Sequence, residues 1–210
     1  MVINAIIAIV VGYLLGSIPF AYIAGRLKKG VDIRQVGGGN LGTLNTLREI
    51  GLLPGLAVLI ADIAKGSLTV LIAQWLDLSL IWIFVAGFAC VVGHVWPVFL
   101  KFKGGRGAAT TIGVFLGLVP PEAAISLAII VIIIIVTSNF RLAIIIGLAF
   151  LPLIVWQLNG SVMLIAYSLA LPVFLVIRNL TSFREPASNT GSKKNLIFDR
   201  DYHFWQSRRK

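Results

Sequence analysis

Residues 93–107 decide the fold, and they read Gly93-His94-Val95-Trp96-Pro97-Val98-Phe99-Leu100-Lys101-Phe102-Lys103-Gly104-Gly105-Arg106-Gly107. An apolar segment ends there in an aromatic residue and a proline, and three cations follow, with glycines on both sides of the last one. Glycine lets backbone N–H groups turn inward and approach an anion, and a helix that begins just afterwards adds its positive dipole end. Lys101, Lys103 and Arg106 supply full charges. The stretch therefore favours a phosphate or other oxyanion site over a charged loop that only fixes membrane topology.

The composition indicates a membrane protein. Of 210 residues, 58% are hydrophobic and 12% are charged, and the mean hydropathy is +0.96, whereas a soluble domain carries about a quarter charged residues. The net charge of +10 lies mainly between the apolar segments, which indicates basic loops that face anionic lipid and cytosol, not a nucleic-acid partner. The single cysteine excludes an internal disulfide. The spacing of His, Cys, Asp and Glu suggests no metal site, and no cofactor is expected.

The apolar segments predict an all-α polytopic membrane protein with one seven-span domain over residues 1–180. The predicted spans are 4–25, 52–74, 79–99, 107–119, 122–138, 141–158 and 161–179. Three connections, at 76–78, 119–122 and 158–160, contain no Lys or Arg, whereas the connections on the other side are basic. The positive-inside rule therefore puts the N-terminus outside and the C-terminus in the cytosol.

The fourth predicted span is too short to cross a bilayer, since its residues give roughly 20 Å of helix against a hydrocarbon core of about 30 Å. Irregular backbone at that depth must be shielded by protein or line a wet cavity, which predicts a pocket at the cytosolic face. Residues 181–210 form a predicted cytosolic, polar and basic tail. Within it, 186–195 resembles a flexible linker, and 196–210 is either a membrane-surface segment or disordered.

A second glycine-rich segment lies at residues 32–51. Its candidate binding residues are Gly37, Gly38, Gly39, Asn40, Asn45 and Arg48. If residues 41–49 are helical, Asn45 and Arg48 share a face. We interpret this segment as a polar binding loop, not a flexible linker, and as a second wall of the pocket.

Three ionisable residues lie within predicted spans. Asp62 and Lys65 are three residues apart and can pair; they are either functional or a structural ion pair, and Lys65 could also extend to an interface. His94 is either a core hydrogen-bonding residue or a pocket residue. It precedes Lys101 by seven residues, about two helical turns, which would place it deeper than bound phosphates.

Three stretches together resemble the bacterial membrane acyl-phosphate:glycerol-3-phosphate acyltransferases. They are Gly16-Ser17-Ile18-Pro19-Phe20, the glycine–asparagine loop 37–51 and the stretch from His94 to Gly107. The resemblance implies seven spans, an outside N-terminus and an active site that faces the cytosol. It also implies a monomeric cell-membrane enzyme of phospholipid biosynthesis.

The implied reaction moves an acyl chain from acyl phosphate to the 1-hydroxyl of glycerol 3-phosphate, giving lysophosphatidic acid and phosphate among membrane lipids. By the same resemblance, the catalytic residues are Asn40, Arg48 and Arg106. The substrate-binding residues would be Gly37, Gly38, Gly39, Asn45, His94, Lys103, Gly104, Gly105 and Gly107.

The chain also departs from the family pattern. The family usually has serine where Gly38 stands, lysine where Arg106 stands, and a basic cluster after the last span of which only Arg178 and Asn179 are candidates here. One alternative is therefore a catalytically altered relative that still binds lipid phosphate. The other is a transporter of an anionic lipid or phosphate metabolite, although transporters usually show inverted repeats and helices broken at the midplane.

Overall fold

The structure, a computed structural model, describes residues 1–180. The predicted tail 181–210, with its linker 186–195 and its surface segment 196–210, lies outside the described residues. The α-helices of residues 1–180 are α1 Val2–Ser17, α2 Phe20–Lys29, α3 Thr43–Glu49, α4 Leu52–Trp75, α5 Leu80–Val95, α6 Ala108–Leu118, α7 Pro120–Thr137, α8 Phe140–Leu158 and α9 Val162–Leu180. Two single 3₁₀ turns lie at Ile33–Gln35 and Val98–Leu100.

Six helical segments within residues 1–180 are long and apolar enough to cross a membrane. They are Val2–Lys29, Leu52–Trp75, Leu80–Leu100, Pro120–Thr137, Phe140–Leu158 and Val162–Asn179. The predicted class, an all-helical multi-pass membrane protein, is thereby confirmed. Helix α6 has 11 residues, which gives about 16 Å and is shorter than a hydrocarbon core. Its middle, Thr110 to Phe115, is buried among the other helices.

The first predicted span is two helices, not one. Helix α1 ends at Ser17 and α2 begins at Phe20, because Pro19 has no N–H and forces the residue before it out of the helical region. Ile18 accordingly has an extended backbone, with φ −63° and ψ 117°. The break leaves the Ile18 carbonyl able to accept hydrogen bonds from outside the helix, and Lys65 of α4 lies 3.4 Å from it.

Small residues bring the central helices into close contact. A Cβ at Gly16 of α1 would overlap the backbone carbonyl of Cys90 in α5, and one at Gly113 of α6 would overlap that of Ile63 in α4. In a membrane such contacts supply the dispersion energy that holds helices together. The Tyr13 hydroxyl also donates to a backbone carbonyl near the end of α5, at 3.0 Å. These contacts fix α1, α4, α5 and α6 around one another.

A small second core lies beneath the two glycine-rich segments. Its buried members are Ala21, Ile33, Leu41, Ile50, Val58 and Leu100. They come from α2, the two glycine-rich segments and α4, so this core holds both segments against the same end of the helix bundle.

Candidate functional site

The first glycine loop, residues 36–42, is held by the side chain of Asn45. The N–H of Gly38 donates to Oδ1 of Asn45 at 3.0 Å, and Nδ2 of Asn45 donates to the carbonyls of Ile33 and Val36 at 3.1 and 3.2 Å. A primary amide has two N–H donors, and here both are used. Asn45 is buried and fixes the shape of the loop.

Helix α3 follows the first glycine loop at Thr43–Glu49, as the sequence predicts. Asn45 is buried and Arg48 is exposed, so the two side chains meet different surroundings although they are three residues apart. Gly37 has φ +58°, and a Cβ there would overlap Oδ1 of Asn45 and press on the carboxylate of Glu49. Only glycine fits at this position.

The second glycine loop, residues 101–107, folds back onto the end of α5. Helix α5 ends at Val95, and Lys101 and Phe102 reverse the chain with φ values of 53° and 60°. The N–H groups of Gly104 and Gly105 then donate to the carbonyls of Val95 and His94, at 3.1 and 3.0 Å.

This reversal corrects two expectations. The amides of Gly104 and Gly105 were expected to turn toward an anion, and that is wrong, because they close the loop onto α5. The continuous helix behind the expected depth of His94, two turns below bound phosphates, is also wrong. Helix α5 ends at Val95, and the chain turns back and brings Gly105 against the His94 ring.

Glycine is required at 104 and 105 by close packing. A Cβ at Gly104 would overlap the His94 carbonyl, and one at Gly105 would overlap Nε2 of the His94 ring. A Cβ at Gly105 would also lie 2.7 Å from the carbonyl oxygen of Leu41. The two glycine loops therefore meet at Leu41 and Gly105.

A narrow recess with room for roughly one water molecule lies at this meeting point. Its lining residues within 1–180 are Gly16, Ser17, Ile18, Pro19, Phe20, Leu41, Asp62, His94, Pro97, Gly104 and Gly105. His94, Gly104 and Gly105 are thus brought together at the recess. The other predicted site residues lie in the loops and helices around the recess and do not line it: Gly37, Gly38, Gly39, Asn40, Asn45, Arg48, Lys103, Arg106 and Gly107.

The end of α9 joins the second glycine loop. Nδ2 of Asn179 donates to the carbonyl of Arg106 at 3.4 Å, and the guanidinium of Arg178 lies 5.3 Å from the centre of the Trp96 ring. Arg106 is half-buried and Lys103 is exposed. From the sequence, Arg178 and Asn179 are only candidate members of the family's basic cluster after the last span. Their contact with the second glycine loop could not be predicted, because Asn179 and Arg106 are 73 residues apart.

A buried group of ionisable side chains lies at the wall of the recess, which two of its members, Asp62 and His94, line. Nζ of Lys65 is 2.8 Å from Oδ1 of Asp62 and 2.9 Å from Nδ1 of His94. Lys65 is 4% exposed, so of the three alternatives the structure shows an internal ion pair and not a lysine that extends to an interface. The participation of His94 could not be found from spacing, since it lies 29 residues from Lys65.

A second ion pair stiffens the chain ahead of the first glycine loop. The Arg34 guanidinium donates to both carboxylate oxygens of Asp32, with the shortest contact at 2.7 Å. These side-chain hydrogen bonds lower the pKa of Asp32 to about 2, and the same contacts raise the pKa of Arg34. Within residues 1–180, no group of three or more His, Cys, Asp and Glu side chains is placed to hold a metal ion.

The fold and the recess define a multi-pass helical membrane protein in which two glycine-rich loops close over a polar site. Residues 6–186 match the family described as glycerol-3-phosphate acyltransferase, and the chain belongs to that family. The family predicted from the motifs is confirmed.

Named relatives cover nearly the whole chain. Glycerol-3-phosphate acyltransferase 1 of Dehalococcoides mccartyi is 40% identical over an alignment of 198 residues that covers 91% of this chain and 95% of the relative. Two crystal structures of PlsY (YgiH), an integral membrane glycerol 3-phosphate acyltransferase, share the fold. The glycerol 3-phosphate form gives a TM-score of 0.79 at 32% identity, covering 85% of this chain and 90% of that one. The lysophosphatidic acid form gives 0.77 at 30% identity, covering 85% and 89%.

Proposed function

We propose that the chain transfers an acyl chain from acyl phosphate to the 1-hydroxyl of glycerol 3-phosphate, giving lysophosphatidic acid and inorganic phosphate. The observation that carries the proposal is the contact of the two glycine loops at Leu41 and Gly105, over a recess at one end of the helix bundle. The two glycine-rich segments, 32–51 and 93–107, both carry cations and then serve one site for two phosphorylated substrates. The glycerol 3-phosphate and lysophosphatidic acid forms of PlsY support the acceptor and the product.

The positive groups around the recess are the proposed phosphate ligands. Arg48 and Arg106 bind the two phosphates, one each, and Lys103 adds a further charge. Helix α6 contributes its N-terminus. The backbone N–H of Thr111 donates to the carbonyl of Gly107 at 2.9 Å, and the backbone N–H groups that precede Thr111 in the first turn have no partner within the helix. These amides replace the ones of Gly104 and Gly105 as backbone donors.

The remaining site residues shape the loops. Gly37, Gly39 and Asn45 set the first loop, with Gly38 bound to Asn45, and Asn40 orients the acyl donor from the same loop. Gly104, Gly105 and Gly107 allow the second loop to pack closely on α5 and α9. Catalysis then rests on holding the two substrates together and on stabilising developing negative charge.

The size of the recess suggests how the donor lies. The recess has room for roughly one water molecule, far less than the roughly 300–1,000 Å³ usual for whole small-molecule sites. The two loops therefore move apart when a phosphate headgroup binds, and the acyl chain extends along the apolar, lipid-facing surface of the helices. The site therefore needs to open to the bilayer.

The topology follows the distribution of cations. Helix α2 ends with Arg26, Lys28 and Lys29, and the glycine-rich segments 32–51 and 93–107 both contain cations, so this end faces the cytosol. With α6 counted as a seventh, short span, the N-terminus is outside and the C-terminus is cytosolic. The enzyme acts as a monomer in the cell membrane.

The test is lysophosphatidic acid formation by the purified protein with radiolabelled glycerol 3-phosphate and an acyl phosphate. Product is expected with the wild-type protein and a strong reduction with Arg106→Ala. Binding of glycerol 3-phosphate without product would instead indicate the catalytically altered relative. Glycerol 3-phosphate uptake into vesicles without product would indicate the transporter.

A further inference from the structure

The ammonium group of Lys65 has three polar atoms around it. They are Oδ1 of Asp62 at 2.8 Å, Nδ1 of His94 at 2.9 Å and the Ile18 carbonyl at 3.4 Å. The ring of Phe20 lies 5.6 Å away on a further side, which suits a cation. An ammonium group has three donors and no acceptor, so this environment fits a charged Lys65.

This arrangement decides which nitrogen of His94 carries the proton. A neutral imidazole has one N–H donor and one bare acceptor nitrogen. Nδ1 lies 2.9 Å from Nζ of Lys65, which only donates, and 3.5 Å from Oδ1 of Asp62, which is beyond the usual N–H···O length. The shorter contact makes Nδ1 the acceptor and leaves the proton on Nε2. With Asp62 negative, Lys65 positive and His94 neutral, the buried group has no net charge, which is the cheapest state inside a membrane protein.

The protonated nitrogen faces the recess. Nε2 lies against Gly105, at the point where the second glycine loop approaches Leu41 of the first, and His94 lines the recess. Within residues 1–180, the polar contacts of His94 run through Nδ1, and Nε2 is not one of the fully enclosed atoms that lack a partner. Water or a ligand in the recess can therefore accept from the Nε2–H group.

We infer that His94 is a hydrogen-bond donor to a substrate phosphate, held in the Nε2–H tautomer by Lys65, and that Asp62 and Lys65 are its positioning residues. The inference rests on the proposed function, since it assigns a ligand group to the same recess. It excludes His94 Nε2 as a general base, because that nitrogen already carries the proton. The phosphate it contacts belongs either to glycerol 3-phosphate or to the acyl phosphate.

The tautomer can be measured without any reaction. The chain has two histidines, His94 and His203, so ¹⁵N-histidine labelling gives two sets of ring resonances, and His203→Gln assigns them. In wild-type protein at pH 7, His94 should show a protonated Nε2 and a bare Nδ1. A protonated Nδ1, or an imidazolium, overturns the inference. The neutral double variant Asp62→Asn/Lys65→Met should lose the tautomer preference.

The same spectra test the ligand. Glycerol 3-phosphate should shift the Nε2 resonance if His94 contacts the acceptor, and inorganic phosphate, which matches the leaving group, should shift it if His94 contacts the donor. An unchanged Nε2 resonance with either ligand bound, as shown by a thermal shift, overturns the donor role. This result does not depend on turnover, so an inactive wild-type protein would contradict the proposed function and leave the inference to be decided by the spectra.

Two substitutions separate the ring nitrogens in activity. Asn at position 94 places an oxygen near the Nδ1 position and keeps an acceptor for Lys65, whereas Gln places an amide nitrogen near the Nε2 position and keeps the donor. Loss of a hydrogen bond to a charged group costs roughly ten- to hundredfold. At a temperature well below both unfolding midpoints, kcat/KM of His94→Asn should be lower than that of His94→Gln by about this factor. Equal values, or the reverse order, contradict the donor role.

Discussion

Gly38 donates its N–H to Oδ1 of Asn45 at 3.0 Å, so the residue that follows Gly37 is tied to the same side chain that Gly37 packs against. The neighbouring glycines nevertheless have different constraints. Gly37 has φ +58°, and a Cβ there would overlap Oδ1 of Asn45. A Cβ at Gly38 would meet only that oxygen, at 3.9 Å, and Gly38 has no positive φ.

This difference predicts opposite outcomes for two conservative changes. Gly37→Ala should destabilise the loop, since the left-handed conformation alone costs a side chain roughly 1–2 kcal/mol. The KM for acyl phosphate should rise, because Asn40 of the same loop orients the acyl donor. Gly38→Ala and Gly38→Ser should have a thermal midpoint close to that of wild type. Unfolding in detergent and substrate titration measure both quantities. Equal destabilisation at 37 and 38 would show that the Asn45 clamp does not set the loop.

Arg48 and Arg106 should serve different phosphates. Removal of one charge-assisted contact costs about 1.5–3 kcal/mol, roughly ten- to hundredfold in affinity. Arg48→Ala should raise the KM for one substrate and Arg106→Ala the KM for the other, with normal expression. The matched control is Arg141→Ala, on the α7–α8 side of the bundle, which should alter neither KM. If both arginine variants keep wild-type kcat/KM for both substrates, the two-loop pocket is wrong.

The features that could be predicted from the sequence are those encoded within one segment. Low charge content and long apolar segments predict a multi-pass membrane protein, and the order of glycines, asparagines and cations in residues 37–51 and 93–107 predicts the family. The length of the apolar segment 107–119 also predicts that α6 is too short to cross a bilayer.

Other features depend on contacts between distant segments. After the reversal at Lys101 and Phe102, the N–H groups of Gly104 and Gly105 bind carbonyls at the end of α5. The residue types alone predict that these N–H groups bind an anion, and they contain no information about the contact with α5. The pairing of Lys65 with His94 joins α4 to α5, and the hydrogen bond from Asn179 to Arg106 spans 73 residues. Local periodicity carries no signal for either contact.

Asp32 should stabilise the protein only above acidic pH. Its pKa is lowered from 3.8 to about 2 by the hydrogen bonds from Arg34, so the folded state favours the charged carboxylate. The stabilisation is complete above the unfolded pKa and is lost as the pH falls through the folded pKa. Asp32→Asn should therefore unfold at a lower temperature than wild type at pH 7, and the difference should shrink between pH 4 and pH 2. A difference that is independent of pH over this range would contradict the ion pair as its source.

The proposed orientation can be tested by labelling single cysteines in a Cys90→Ala background. Asp77, Asn159, Gly30 and Lys103 are all exposed, so accessibility does not bias the comparison. In intact cells, an impermeant maleimide should label cysteines at 77 and 159 and should not label those at 30 and 103, whereas all four should react after permeabilisation. Reversed labelling would invert the topology and remove the argument for a cytosolic site.

The last prediction is that no side chain is an obligatory general base. The acceptor hydroxyl must lose a proton as it attacks the acyl carbon, and the side chains near the two loops that could take it are Asp32, Glu49, Asp62 and His94. Asp32 is bound to Arg34, and Asp62 is bound to Lys65. In the inferred tautomer, the nitrogen of His94 that faces the recess already carries a proton.

A substrate phosphate can take the proton instead, because a phosphate monoester has a second pKa near 6 and is a competent base at pH 7. A side-chain base contributes roughly 10²–10⁴-fold to the rate. Asp32→Asn, Glu49→Gln, Asp62→Asn and His94→Gln should each therefore lower kcat by less than about a hundredfold in folded, detergent-purified protein. Thermal midpoints and KM values separate loss of chemistry from loss of structure or binding. A larger loss in any one variant, with both of those unchanged, would identify that residue as the base and exclude proton transfer to the substrate.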